Sequence, residues 1–470
     1  MNIVLVATEC FPFAKITGLG DLVSVIAKSL EKEGNNVKIF IPRYGSIDPG
    51  NYHIERIPLE LKVNSGGLTV QSSIFKGILP DSLASVFFIE SQNHFSNSKE
   101  IYFSQAQHNE TYNRNSFFCT ATLEAISKLQ FNTDIIHFFN LSCAQLAKIF
   151  HSKFAENPIF KNTKLIFTLQ NVDELADDQN ILNYTKDAIR HSDYITTTSE
   201  AFENELLTDI HNTGIANELE KKRNCFSGIL STIDEEIYDP EKDNYIVQTF
   251  SKNYFSGGKK KCKEDLFEVL ELEKDIQTPL FGVIARFTKN SGVAFLIDNI
   301  PEIAELNLQL VIMGKGEEQI EERLTKLSKI YKNIKVCIGY NHNFGKKIFA
   351  GSDFYLCPEE KQIDGASGLI ALKYGSIPVA YKSGAIKEII NDIDSQKEAN
   401  GIVFKNYSKE DLLESINKAI KYYKNKENWT KLVKQAMSFN TCKSTTAKKY
   451  INCYEIAINA KKSQEESLSK

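Results

Sequence analysis

No stretch of this 470-residue chain approaches the ~18–20 consecutive apolar residues of a membrane span, so a helical membrane protein is not expected. The opening Met1-Asn-Ile-Val-Leu-Val-Ala-Thr-Glu9 lacks a basic segment and its apolar run stops at Glu9, which argues against a secretory signal. No Cys-x-x-Cys pair occurs among the nine cysteines, which are odd in number and scattered from Cys10 to Cys453. That pattern excludes a disulfide framework and a zinc site, and reduced thiols in the cytoplasm are expected. Charge of one sign is also lacking: 56 basic against 60 acidic residues leave a net charge of −4. Neither nucleic acid nor an anionic membrane is therefore an expected partner, and any polyanionic ligand must be met locally. Internal repeats and low-complexity tracts are absent as well.

What is present is an ordinary globular composition, 42% hydrophobic and 25% charged. A single core stops growing at about 250–300 residues, so the chain must form at least two domains. Short β-branched runs alternate twice over with helical patterns, the signature of parallel sheets in an α/β protein. The first series has strands at Ile3–Ala7, Val37–Ile41, Ile135–His137, Lys164–Thr168 and Tyr194–Thr197, with a helix over Asp21–Glu33. The second has strands at Pro279–Ala285, Gln309–Met313, Lys335–Ile338, Phe354–Leu356 and Pro378–Tyr381, with helices at Glu317–Ile330 and Gly368–Tyr374.

Between the two lies Asp239–Thr278, polar and lysine-rich around Gly257-Gly258-Lys259-Lys260-Lys261, which reads as a hinge region with a solvated helix face. The expected domains are 1–240, a linker over 241–278, a second domain over 279–430, and closing helices with a frayed tail over 431–470. Lys409–Tyr423 and Asn428–Ala460 are the helical patterns at that end.

Two places could carry chemistry. The loop Glu9-Cys-Phe-Pro-Phe-Ala-Lys15-Ile-Thr-Gly18-Leu-Gly20-Asp21 enters a helix, where small residues, a lysine and free N–H groups can receive an anion. It is not the G-x-G-x-x-G of a dinucleotide-binding dehydrogenase. Arg286 directly follows a strand, at the carboxyl end where open α/β sheets bind ligands. Only seven of the 56 basic residues are arginines, and a guanidinium forks well onto a diphosphate.

The loop around Lys15, with Ile41-Pro-Arg-Tyr-Gly45, resembles bacterial glycogen synthases and plant starch synthases, glycosyltransferase family 5. Pro279-Leu-Phe-Gly-Val-Ile-Ala-Arg286, Ile338-Gly-Tyr340, Phe349-Ala-Gly-Ser-Asp353, Ala371-Leu-Lys-Tyr-Gly375-Ser-Ile-Pro378 and Gly401-Ile-Val-Phe404 resemble that family in order and spacing. The resemblance runs from residue 1 to about 455. It implies a GT-B architecture: two Rossmann-like domains facing across a cleft, with the C-terminal helices packing back on the first. It implies transfer of glucose from a nucleotide sugar, usually ADP-glucose, to an α-1,4-glucan with retention. No metal and no cofactor beyond the nucleotide sugar as co-substrate are implied. The leaving diphosphate gains negative charge while the sugar ring becomes positive, so cations must meet the one and carboxylate character the other.

Residue by residue, the resemblance places Lys15, Gly18 and Arg286 at the nucleotide sugar, with Ser291, Gly365 and Ser367 at matching positions. It places Asp21 and Asn171 on the acceptor side. Several positions depart from the family. Thr17 stands where it has glycine, and Ser291 where it has a second clamping lysine. His137-Phe-Phe139-Asn140-Leu141 replaces His-x-His-Asp-Trp, so Phe139 takes the place of the active-site histidine. Thr168-Leu-Gln170-Asn171 replaces Thr-Ile-His-Asn. In the loop Pro358-Glu-Glu-Lys-Gln362-Ile-Asp-Gly365-Ala-Ser367, Gln362 takes the place of the catalytic glutamate.

A unit charge at about 4 Å with an effective dielectric of ~20 is worth roughly 4 kcal/mol, or about a thousandfold in rate. Asp364, Glu359 or Glu360 could substitute from nearby. Two readings stay open: a working but impaired glucosyltransferase, and a catalytically silent homologue (pseudoenzyme) that binds a nucleotide, a glycan or a protein partner. A sugar-nucleotide epimerase would need an acid/base pair that the chain does not offer.

Overall fold

A computed structural model describes the chain except residues 66, 98–100, 102–107, 173, 174, 176, 273, 274, 290, 396, 397, 469 and 470. The chain divides into two compact units, Met1–Thr232 with Cys442–Lys470, and Ile233–Thr441.

The first unit holds a nine-stranded sheet. Its strands are β1 (Asn2–Val6), β2 (Asn36–Pro42), β3 (Glu55–Ser65), β4 (Leu68–Ile78), β5 (Ser85–Glu90), β6 (Ile135–Phe139), β7 (Lys164–Leu169), β8 (Tyr194–Thr197) and β9 (Phe226–Gly228). They lie in the order β3-β4-β5-β2-β1-β6-β7-β8-β9. Strands β5 to β9 of that order run parallel, and β6 and β7 are buried along their whole length, as a sheet covered on both faces requires. The β3–β4 and β4–β5 pairs are antiparallel, so the sheet is mixed rather than purely parallel. The β3 ladder shifts register between Ile57 and Glu60, across Pro58, which has no N–H to donate.

The second unit holds β10 (Leu280–Phe287), β11 (Gln309–Gly316), β12 (Ile334–Ile338), β13 (Phe354–Cys357), β14 (Ile377–Tyr381) and β15 (Ile402–Phe404). Their order is β12-β11-β10-β13-β14-β15, all parallel, so the Ile3 and Leu280 strands belong to different sheets. In each sheet the strand order reverses beside the opening strand, at β1/β6 and at β10/β13. Ligands of open α/β sheets lie beyond the carboxyl ends at such points.

The basic run of the second unit is not a uniformly solvated face. Lys259 and Lys263 lie one turn apart on the helix Phe255–Val269 and are buried, whereas Lys260 and Lys261 are exposed. Lys259 Nζ donates to the carbonyls of Ala350, Ser352 and Tyr374 at 2.9–3.0 Å. Lys263 Nζ reaches Asp353 at 2.6 Å and the carbonyls of Ile276 and Thr278. The i, i+4 spacing puts both ammonium groups on the buried face of this helix, where helix-end and loop carbonyls and a carboxylate replace water.

The C-terminal pattern expected as one helix is two, Lys426–Ser438 in the second unit and Lys443–Leu468 in the first. The polar turn at Phe439-Asn-Thr-Cys442 separates them. The last helix docks on the first sheet through a buried polar chain: Tyr454 Oη bonds His137 Nδ1 at 2.7 Å, and His137 Nε2 bonds Thr168 Oγ1 at 2.6 Å. Burial holds the His137 imidazole down at about 3, so it is neutral in the fold. The unfolded chain, with an ordinary histidine near 6.5, takes up a proton below that value which the fold refuses. Stability is therefore lost as pH falls from about 6.5 toward 3. Urea unfolding should show the wild type losing about 2 kcal/mol more than His137→Gln between pH 7.5 and pH 5. Equal losses would mean that His137 titrates normally.

Candidate active site

In the first unit the loop after β1 is organised by the buried carboxylate of Glu9, which heads the quoted loop but was given no role from the sequence. Glu9 Oε2 accepts from the N–H groups of Ile16 (2.5 Å) and Thr17 (2.8 Å), and Oε1 accepts from the Thr17 hydroxyl (2.6 Å). Thr17 Oγ1 in turn accepts from Leu19 N–H at 3.2 Å, capping the helix Gly18–Lys32. Thr17 thus has a local role as a cap, and it occupies one of the N–H groups at the helix start that an anion could use. Gly18 is the first residue of that helix, and Asp21 lies in its first turn. Lys15 Nζ pairs with Asp21 at 2.6 Å, each side chain only 12–15% exposed, and the ammonium lies 5.5 Å from the Phe11 ring. Lys15 and Asp21, assigned to opposite partners of the reaction, are brought together as an ion pair.

At the end of β6, Phe139 is fully buried and stacks on the His137 ring, centroids 4.1 Å apart. Asn140 (φ 65°) follows, and its Oδ1 accepts from Asn171 N–H at 3.0 Å, joining the loops after β6 and β7.

In the second unit Arg286 is exposed near the carboxyl end of β10. Ser291 is turned into its own loop, its hydroxyl donating to Thr288 O at 2.8 Å. Gly292 (φ 73°) begins the helix Val293–Ala304, and a Cβ there would lie 2.2 Å from Pro358 O. No side chain fits, which lets the Arg286 loop touch the loop after β13 directly. Both flank the β10/β13 reversal.

That second loop is folded around Gln362. Its Nε2 donates to Cys357 O, Glu359 O and Glu359 Oε2, each at 3.0 Å. Its backbone N–H donates to Ser383 Oγ (3.1 Å), whose hydroxyl donates to Glu360 O (2.7 Å). Tyr407 Oη donates to Pro358 O at 2.8 Å. Gln362 is 6% exposed, and its amide is directed inward, onto acceptors that a carboxylate could not satisfy. Burial pushes the Glu359 carboxyl up to about 7; the Gln362 amide opposes that rise and the Asp364 charge adds to it. Asp364 Oδ1 accepts from Ala366 N–H at 3.0 Å, at the start of the helix Ala366–Lys373. Gly365 (φ 61°) caps that helix, where a Cβ would lie 2.3 Å from Ile389 Cδ1. Ser367 hydrogen-bonds the Tyr355 hydroxyl.

The sequence reading gave no role to Glu9, which lies within the quoted loop, or to Ser383 and Tyr407, which lie in chain far from the motif they contact. Gln362→Glu should lower stability at pH 8 by about 2–4 kcal/mol, because it exchanges a donor for a charge facing two carbonyls and a carboxylate. Urea unfolding checks this, and a variant as stable as wild type would show that the loop does not depend on the amide.

Residues 2–221 match the starch synthase catalytic domain family, and residues 266–436 match the glycosyl transferases group 1 family. A glycogen synthase of Geotalea daltonii is 31% identical over 98% of this chain and 100% of that protein. The catalytic domain of starch synthase IV from Arabidopsis thaliana, bound to ADP and acarbose, superposes with a TM-score of 0.89 at 26% identity, covering 97% of this chain and 99% of that one. Sucrose-phosphate synthase from Thermosynechococcus elongatus, at 13% identity and a TM-score of 0.61, shares the fold. The mixed and parallel Rossmann-like sheets, the last helix returning to the first unit, and these matches along nearly the whole chain establish that the protein has the GT-B fold and belongs to the glycogen and starch synthase family of glucosyltransferases.

Proposed function

We propose that this chain transfers glucose from a nucleotide diphosphate sugar, with ADP-glucose the first to test, to an α-1,4-glucan with retention, at a lowered rate. The observation that carries the reading is the β10/β13 site itself, where the Arg286 loop and the Gln362 loop meet at Gly292 on the family's fold. That the Arabidopsis relative binds ADP and acarbose supports a nucleotide and a glucan as ligands. In the transfer, the C1–O bond to the diphosphate breaks and its electron pair stays on the diphosphate oxygen. A new bond forms from C1 to an acceptor hydroxyl oxygen, and that hydroxyl's proton leaves on the diphosphate.

Arg286 and Lys15 are assigned to the diphosphate, with Gly18, Ser291, Gly365 and Ser367 lining the nucleotide-sugar side and Asp21 and Asn171 the acceptor side. The lowered rate follows from two buried side chains. Phe139 offers no hydrogen bond to a sugar hydroxyl, and Gln362 gives its amide to the loop. Ser291, closed onto Thr288, adds no cation to the leaving group. Nine free thiols fit a reducing compartment, and we place the protein in the cytoplasm.

Calorimetric titration should show ADP binding at micromolar to millimolar levels, weakened at least about tenfold by Arg286→Ala. Incorporation of labelled glucose from ADP-glucose into glycogen should proceed below about 1 per second, under the ordinary enzyme range. ADP binding with no transfer at any enzyme concentration would favour the silent homologue. Absence of ADP binding would remove the nucleotide-sugar reading.

A further inference from the structure

The loop after β13 carries three carboxylates, and their surroundings differ. Glu360 is exposed, and Asp364 spends an oxygen on the Ala366 N–H at the start of a helix. Glu359 is only partly exposed and is fixed: Gln362 Nε2 donates at once to its carboxylate and to its backbone carbonyl. It lies two residues beyond β13, and its backbone is part of the contact with Gly292 at the reversal between β10 and β13.

We propose that Glu359 is a catalytic residue that supplies the negative charge to the glucosyl ring in transfer, with Gln362 as the positioning residue that holds it. This rests on the glucosyltransferase reading above and deepens it. Glu359 forms no bond to the sugar and moves no proton. Its charge stabilises the positive ring while the C1–O bond to the diphosphate breaks and the bond to the acceptor oxygen forms.

The protonation of Glu359 then governs the rate. The titratable groups around it are Asp364 and Glu360 of its own loop, Tyr355 and Cys357 of β13, and Tyr407. Burial raises Tyr355, Cys357 and Tyr407 above their ordinary values, which keeps all three neutral near pH 7. The carboxyl of Glu359 is pushed up to about 7, so its ionised fraction rises about tenfold between pH 6 and pH 8.

The experiment measures labelled glucose transfer and ADP affinity for wild type, Glu359→Gln and Glu359→Asp across pH 6–8. Wild-type kcat/KM should rise about tenfold over that range. Glu359→Gln should lose about a hundredfold or more at pH 8 and lose the rising limb, while Glu359→Asp recovers part of both and ADP affinity stays within about threefold. Transfer by Glu359→Gln at the wild-type rate, or with the wild-type pH limb, overturns the proposal. Loss of ADP binding by that variant overturns it too, because it marks a purely structural role.

Should wild type bind ADP without transfer, 1-deoxynojirimycin titrated in the presence of ADP at pH 7 replaces turnover, since its protonated ring nitrogen imitates the positive ring. At least tenfold tighter binding to wild type than to Glu359→Gln supports Glu359 as the ring's counter-charge, and equal affinities overturn it. If ADP itself does not bind, the glucosyltransferase reading fails and the proposal with it.

Discussion

The loop beyond β13 is organised around one side-chain nitrogen, with Ser383 and Tyr407 adding further bonds. Gln362 Nε2 donates to two carbonyls and a carboxylate of the same short segment, acceptors that a second carboxylate would repel. Around that point the second unit closes at van der Waals limits: the Arg286 loop passes where a Cβ on Gly292 would strike Pro358, and Tyr407 ties Pro358 from the other side. The charge, geometry and stability of the site depend on the amide keeping its place.

The first unit shows the same exchange of outward chemistry for inward packing. Phe139 and His137 form a stacked, buried pair, and His137 spends both ring nitrogens on Tyr454 and Thr168. The last helix is thereby fastened to the sheet at β6. Phe139 and Gln362, where the sequence reading expects catalytic groups, are both buried in local contacts. Glu359 supplies a carboxylate in the same loop as Gln362, and burial pushes it up to about 7.

Much of this fold was legible in the sequence because buried parallel strands are short β-branched runs, and β1, β8, β10 and β14 fall within a residue or two of where that pattern puts them. The β3–β4 hairpin was not legible: Pro58 breaks the alternation, and Glu55, Arg56, Glu60 and Lys62 make the strand look like loop. Lysine composition misled at Lys259 and Lys263, because no local signal shows that carbonyls from Ala350, Ser352 and Tyr374 converge on the one and Asp353 on the other. Gln362 illustrates the limit at the site. Its identity is plain in the sequence, but glutamine and glutamate have one shape, and only the acceptors around it reveal which way it must face.

Glu359 is a half-buried carboxylate held by that amide, and its protonation can be observed without turnover. Carbon-13 NMR of side-chain carboxyls, with Glu359→Gln to assign the resonance, reads its protonation directly. The account predicts a midpoint near 7 for Glu359, and a midpoint near the ordinary 4.5 would contradict it.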